Sequence, residues 1–488
     1  MRIVSKEGNE LVLLAIRDDD GAEKGDYLVI EDAKDRRMML VQVYEEEYLS
    51  NQSLLDDMVR DEVVRASSTE GLHDPLNISS LSKMLRDAKL FRCKIRASVE
   101  DGKLGSRVSW LPSRVDSKVR RLGVPELCEL QHRNGVLPIR IGKTRDGAKF
   151  EIYAEDIDGK LNLITGKKES GKSHLAKTLV KSLVEYGAFV IVLDLNNEYA
   201  GLARNKDGTP STINDRVMLL EPGKALRFTL EYAGKGAVAN VLKHALDIPA
   251  ASMRELFRIW DSLSTGGKLG MASMNGAIAD WRTNEHVRDA LISRFHTMLS
   301  SRLFTDDPKR AFRFEDAFSQ KSGGAALIVG LGKTPPVVRR MTVELILSKL
   351  VELLERGSIP PVFLFAEEAH LYLRETYWED IVTRMRHFGI YTTFVTNQPD
   401  AINDGVYRQL DNIFLFNFAN ETDLERISRV AVADAETIRS IARTLPQRHC
   451  LVMGNVVNEL PIMLETASSD VLTLGETKRF FRVKVSAQ

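Results

Sequence analysis

Gly166-Lys167-Lys168-Glu169-Ser170-Gly171-Lys172-Ser173 follows the apolar run Leu161 to Ile164 and leads straight into a helical pattern. This is GxxxxGK[ST] in strand–loop–helix context. The glycines let the loop wrap so that backbone N–H groups and the helix N-terminus face a β-phosphate. Lys172 then reaches the β- and γ-oxygens, and the Ser173 hydroxyl ligates Mg2+. The expected contacts of ATP and Mg2+ are therefore the loop residues Gly166, Lys167, Lys168, Glu169, Ser170, Gly171, Lys172 and Ser173, with His174 beside them.

Around the loop, apolar runs alternate with helical patterns: Ala188 to Leu193, Ala325 to Val329, Val362 to Phe365 and Tyr391 to Val395 read as buried strands. That is the pattern of βαβ units on a mainly parallel sheet, an α/β fold. A long helical interruption, about 237–301, reads as an inserted subdomain whose middle, Gly266-Gly267-Lys268-Leu269-Gly270, joins helix pairs. Val338 to Glu355 puts Val343, Ile346, Leu347, Leu350 and Leu354 on one helix face and is stopped by Gly357 and Pro360-Pro361. Cys450 to Met453 and Val456-Val457 around Gly454-Asn455 read as a hairpin, and Phe480 to Val485 as a last strand.

Toward the N-terminus the texture is all-β: Leu11 to Ile16, Tyr27 to Ile30 and Met38 to Tyr44 are short strands parted by turns. A helical stretch with Met84, Leu85, Leu90 and Phe91 follows, then Phe91 to Val99 and Arg107 to Leu111 around Asp101-Gly102. The expected domains are a small β-barrel at 1–111, a linker or subunit-contact arm at 112–135 carrying Arg114, Lys118, Arg120 and Arg121, an ATPase core at 136–470, and an extension at 471–488.

Composition narrows the class. The 488 residues are 43% hydrophobic, too apolar for a disordered chain, and Lys+Arg (68) equals Asp+Glu (68), so no overall field pulls the chain toward a polyanion. Three well-separated cysteines, Cys93, Cys128 and Cys450, fit a reducing compartment and no metal clip. No apolar stretch approaches the ~18 residues of a membrane span. A cytoplasmic protein with no membrane partner is expected.

Hydrolysis needs carboxylates at a neighbouring strand tip. Val362-Phe363-Leu364-Phe365-Ala366-Glu367-Glu368-Ala369-His370 supplies two, Glu367 toward Mg2+ and Glu368 toward the attacking water. Side chains alternate along a strand, so only a bend at its end lets both face the phosphates. Asp194 and Glu198 stand at another strand tip, either as functional acids or as loop caps. Asn397 and Gln398 end a third strand, where an amide can sense the γ-phosphate or serve a turn before Pro399. Arg384 and Arg386 close a helix, as an arginine finger toward a neighbouring subunit or as cations on the helix dipole.

In series, GxxxxGKS, the strand ending at Asp194 with Glu198-Tyr199, the helical insertion, Glu367-Glu368-Ala369-His370, Arg386-His387-Phe388-Gly389 and Asn397-Gln398-Pro399 resemble HerA, of the FtsK-HerA superfamily. The β-rich start is similar to the HAS-barrel of that family. The resemblance implies a RecA-like P-loop ATPase core with helical insertion and a homo-hexameric ring with ATP cleaved between subunits. It also implies duplex DNA in the channel and a NurA-like nuclease partner in end resection. Leu195-Asn196-Asn197 stands where relatives often carry Pro-His-Gly, and the loop is unusually charged at Lys168-Glu169. The other readings are a motor that moves protein or remodels a complex, and a defence-system ATPase.

Overall fold

The computed structural model describes residues 1–15, 21–32, 37–49, 88–100, 102–105, 110–133, 135–321, 323–372, 382, 385–418, 420–430, 434–472 and 474. The chain divides into two compact units: Met1–Asn134 with Lys143–Phe150 and Asn417–Glu465, and Gly135–Gly142 with Glu151–Phe416 and Thr466–Gln488.

In the first unit, β1 (Arg2–Glu7), β2 (Glu10–Ala15), β3 (Tyr27–Asp32), β4 (Arg37–Tyr48), β5 (Lys89–Glu100), β6 (Lys103–Gly105) and β7 (Ser117–Leu122) form one antiparallel sheet, ordered β1-β2-β5-β4-β3-β7 with β6 on β5. Every second residue turns inward: Leu11 and Leu13, Leu28 and Ile30, Met39, Val41 and Val43, Phe91, Cys93 and Ile95 make one core. The β4–β5 register slips at Leu40/Val41 and again at Val43/Glu45, and such bulges bend a sheet. The result is a curled half-barrel.

The structure departs from the sequence reading at two places. Leu90 lies in the strand β5, not in a helix, together with Phe91, which the strand reading Phe91 to Val99 already included; both pair with β2 and β4. The stretch 112–135 is no plain linker: it holds β7, paired to β3, and the helix α1 (Val124–Leu130). Arg120 is bound by Glu31 and Glu126, and Arg121 by Asp26 and Asp146. Met84, Leu85, Asp101 and Arg107 lie outside the described residues.

Next come β8 (Pro138–Lys143) and β9 (Lys149–Tyr153), followed by β10 (Asn162–Thr165), α2 (Lys172–Glu185), β11 (Phe189–Asp194) and β12 (Val217–Leu220). The insertion contains α3 (Leu230–Asn240), α4 (Ala250–Thr265), α5 (Met271–Asp280) and α6 (Glu285–Ser300); α7 (Phe314–Ser319) and β13 (Ala325–Gly330) follow it. After α8 (Pro336–Glu355) run β14 (Val362–Glu367), β15 (Ile390–Thr396), the turn-long α9 (Asp404–Tyr407) and β16 (Asn412–Phe416). The second unit's strands are parallel in the order β12-β13-β11-β14-β15-β10-β16. All five strands read from the sequence are present; β12 and β16 were not foreseen.

Helix α8 opens on Pro335-Pro336 and ends before Gly357 at φ 63°, the proline-in, glycine-out punctuation of a helix. It is buried nearly all round, with Leu345 and Leu353 inside and Leu354 only half-buried, so the single-face reading is too narrow. The Gly266–Gly270 segment does join two helices, and Lys268 on it is exposed.

The remaining elements are α10 (Glu421–Val430), α11 (Ala435–Thr444), β17 (His449–Gly454) and β18 (Ile462–Thr466). The hairpin near Gly454 exists, but its second strand is β18: Asn455–Val457 is a helical turn, and Cys450 pairs with Leu464. Phe480 to Val485 lies outside the described residues. Among the described residues, no helix is long and apolar enough to cross a membrane.

Candidate active site

The strand β10 ends at Thr165, and the loop leaves it through Gly166 at φ 152°. A Cβ on Gly166 would fall 2.4 Å from the Phe416 Cβ, so only glycine lets the loop turn against β16. Gly171, at φ 121°, sets the first turn of α2. Lys167, Lys168 and Glu169 face solvent, while Ser170 and Lys172 are buried. The Lys172 Nζ folds back onto the loop, donating to Gly166 O at 2.7 Å and Lys167 O at 2.8 Å. It thus stands inside the curve its own backbone makes. Burial pushes its pKa down to about 8, against the pull of the Glu368, Glu198 and Glu367 carboxylates.

The sheet brings the acids to this end. β15 lies between β10 and β14, with Thr165 level with Thr396 and Glu367 level with Val395. Two strand spacings of about 4.8 Å separate the loop's strand from the acids' strand.

Glu367 is 2% exposed and its Oε2 has no hydrogen-bond partner. Burial, then Asp194 and Glu198, drive its pKa well above the usual carboxylate value. Glu368 sits at φ 46°, ψ 46°, in the left-handed region that a residue with a Cβ seldom enters. The chain thus bends at the strand end, where the sequence reading required a bend for both acids to face one side. Glu368 Oε2 accepts from Thr396 Oγ1 at 2.9 Å and from Asn397 N at 3.4 Å, with His370 Nδ1 at 3.7 Å.

Asn397 is half-buried beside Glu368, whereas the Gln398 side chain is exposed and its backbone N–H is held by Thr396 Oγ1 at 3.0 Å. Asp194 has both carboxylate oxygens on backbone amides, Glu198 N and Tyr199 N, each at 3.0 Å, which is the loop-cap alternative. Arg386 stands elsewhere: it pairs with Asp411 at 3.3 Å, next to Leu161, whose N–H also binds Asp411. That is the amino end of β10 and β16, opposite the phosphate loop. Arg384 lies outside the described residues.

Two residues escaped the sequence reading. Thr396 carries the bond to Glu368, and its signal was its position as the last residue of β15. Lys177 is 0% exposed in α2, and the clue was a lysine four residues after Ser173 among Leu175, Ala176, Leu179 and Val180.

The donor set fits a magnesium nucleotide. Besides Glu367 Oε2, Thr165 Oγ1 and Ser170 Oγ are buried at the loop without partners, and Ser173 is the second residue of α2, directly after Lys172. Buried polar atoms left bare are costly unless something binds them.

Residues 139–269 match the family model described as "Helicase HerA, central domain". No curated protein sequence matches the chain. Among solved structures, VirB4 of Thermoanaerobacter pseudethanolicus is 14% identical, with a TM-score of 0.53 over 68% of this chain and 97% of that one. The plasmid coupling protein TrwB, in complex with the non-hydrolysable GTP analogue GDPNP, is 13% identical, with a TM-score of 0.51 over 74% and 95%. At such identities the likeness is one of fold. Over 139–269 the chain therefore carries the HerA central-domain pattern, set in an α/β, RecA-like P-loop ATPase fold with a curled antiparallel half-barrel before it.

Proposed function

We infer that the chain is an ATP hydrolase that couples cleavage to movement along duplex DNA, as a homo-hexameric ring in the cytoplasm. The observation that carries the catalytic half is the meeting of Lys172 with Glu367 and Glu368 at one end of the parallel sheet. The loop amides and Lys172 hold the β- and γ-phosphates; Ser173 and Glu367 hold Mg2+, which when bound offsets charge on the phosphate oxygens. Glu368, oriented by Thr396, polarises the attacking water, and Asn397 or Gln398 registers loss of the γ-phosphate. Arg386 serves a neighbouring subunit's ATP.

The DNA half rests on the family match and on the order of motifs. A nuclease of the NurA kind as partner in end resection is the finer form of the same reading. One assay tests the whole: ATP turnover by the full chain with and without duplex DNA, together with the mass of the assembly. Turnover raised by DNA in a hexamer is expected. A hexamer whose turnover ignores DNA would favour a motor acting on protein, and an inactive monomer would sink the reading.

A further inference from the structure

Behind the phosphate loop lies a charge arrangement that catalysis by the residues above does not require. The Lys177 ammonium is wholly buried and makes no hydrogen bond; it stands 3.5 Å from Glu198 Oε2 and 5.6 Å from the centre of the Tyr199 ring. A buried ammonium with a single carboxylate near it and no hydrogen bond is expensive, and a lysine serving only to fill space is replaceable by methionine at no such cost.

Three carboxylates gather at the neighbouring strand tips: Leu193 pairs with Ala366, so Asp194 and Glu367 end β11 and β14 side by side, and Glu198 N donates to Asp194 Oδ1 at 3.0 Å. The three are not equivalent. Asp194 is used up as a backbone cap, Glu367 keeps a bare oxygen, and Glu198 has Lys177 as its one ion-pair partner among the described residues. Ser173 and Lys177 are four residues apart on α2 and share a face, one turn from each other.

We propose that Lys177 is a positioning residue, an internal counter-ion that holds Glu198 beside Glu367, so that Glu198 joins Ser173 and Glu367 in binding the Mg2+ of the nucleotide. The buried Glu367 oxygen has no cation at ion-pair distance among the described residues, and a divalent ion at the Ser173 face supplies one. The inference rests on the nucleotide reading above and adds a residue to its metal shell.

The test is binding of a non-hydrolysable ATP analogue to the full chain, with Mg2+ and with a chelator in its place. Glu198→Gln should lower the Mg2+-dependent gain in affinity about tenfold, the scale of losing a supporting group at a metal site, and leave the affinity in chelator within about twofold. Lys177→Met should do the same. The double variant Lys177→Met, Glu198→Gln buries no unpaired charge, so it should fold like the parent and still lack the gain; it decides the matter should Lys177→Met alone not fold. An undiminished Mg2+ gain in Glu198→Gln overturns the proposal, as does its recovery in the double variant, which marks a merely structural pair. A parent chain that binds no analogue under either condition sinks the nucleotide reading itself.

Discussion

The Thr396 hydroxyl, at the end of β15, donates to Glu368 Oε2, at the end of β14, across 2.9 Å, while Glu368 N donates to Val395 O at 2.8 Å. The acid is thus clamped to the strand that separates it from the phosphate loop. A left-handed residue costs of order 1 kcal/mol, and such a conformation persists only where its surroundings enforce it. Here a backbone bond and a side-chain bond do so together.

Glu368→Gln should therefore keep nucleotide affinity within a few-fold and lower turnover by about 10²–10⁴, the range a positioned general base contributes. Thr396→Val should give a smaller loss, on the order of tenfold, through misdirection of the same carboxylate. Turnover and analogue binding on the same preparations check both. Lost binding in Glu368→Gln would make that residue part of the scaffold.

Lys172 sets a pH dependence. Burial brings its pKa down to about 8, so the ammonium that phosphate oxygens recognise is present below that value and lost above it. Affinity for the ATP analogue should fall as pH rises through about 8, steepening toward tenfold per pH unit, and Lys172→Ala should bind weakly at every pH. A flat profile from pH 7 to 9 in the parent would show the ammonium shielded, contrary to its setting among exposed loop residues.

The chemistry of this site was legible because a short run of residues encodes it. A GxxxxGKS loop needs its own glycines, and Glu367-Glu368 at the end of an apolar run needs a bend, which Glu368 makes. What escaped depends on partners far along the chain. Leu90 becomes strand through pairing with β2 and β4. Lys177 reads locally as one more solvated helix lysine, and only the segment after β11 brings Glu198 and Tyr199 to it. The second strand of the β17 hairpin was missed because a helical turn, Asn455–Val457, separates it from the visible Gly454.

In the first unit Arg96 donates to Asp434 Oδ2 at 2.7 Å and to Thr437 Oγ1 at 2.8 Å, and Asp434 Oδ1 caps α11 by accepting from Thr437 N at 2.8 Å. Burial raises the Asp434 pKa, but the Arg96 guanidinium and the Thr437 donors outweigh it, so the folded value lies below the ordinary 3.8. A depressed carboxyl stabilises above its unfolded pKa and loses that stabilisation as pH falls through the folded one. Asp434→Asn should cost about 1–3 kcal/mol at pH 7 and less below pH 3, in denaturant unfolding. Equal losses at both pH values would assign the effect to the cap alone.

Arg386 binds Asp411 at the amino end of β10, and the phosphate loop starts at the carboxyl end. Four residues of strand at about 3.3 Å each put on the order of 13 Å between them, beyond what an arginine held by Asp411 spans. If Arg386 acts on ATP, it acts on a neighbour's. Arg386→Ala should then lower turnover about 10³-fold or more with analogue binding intact. Mixing those subunits with Lys172→Ala subunits rebuilds complete interfaces, about a quarter of them if a ring assembles at random, and turnover should recover in that proportion. No recovery under demonstrated mixing would return Arg386 to a local role, tying its helix to Asp411.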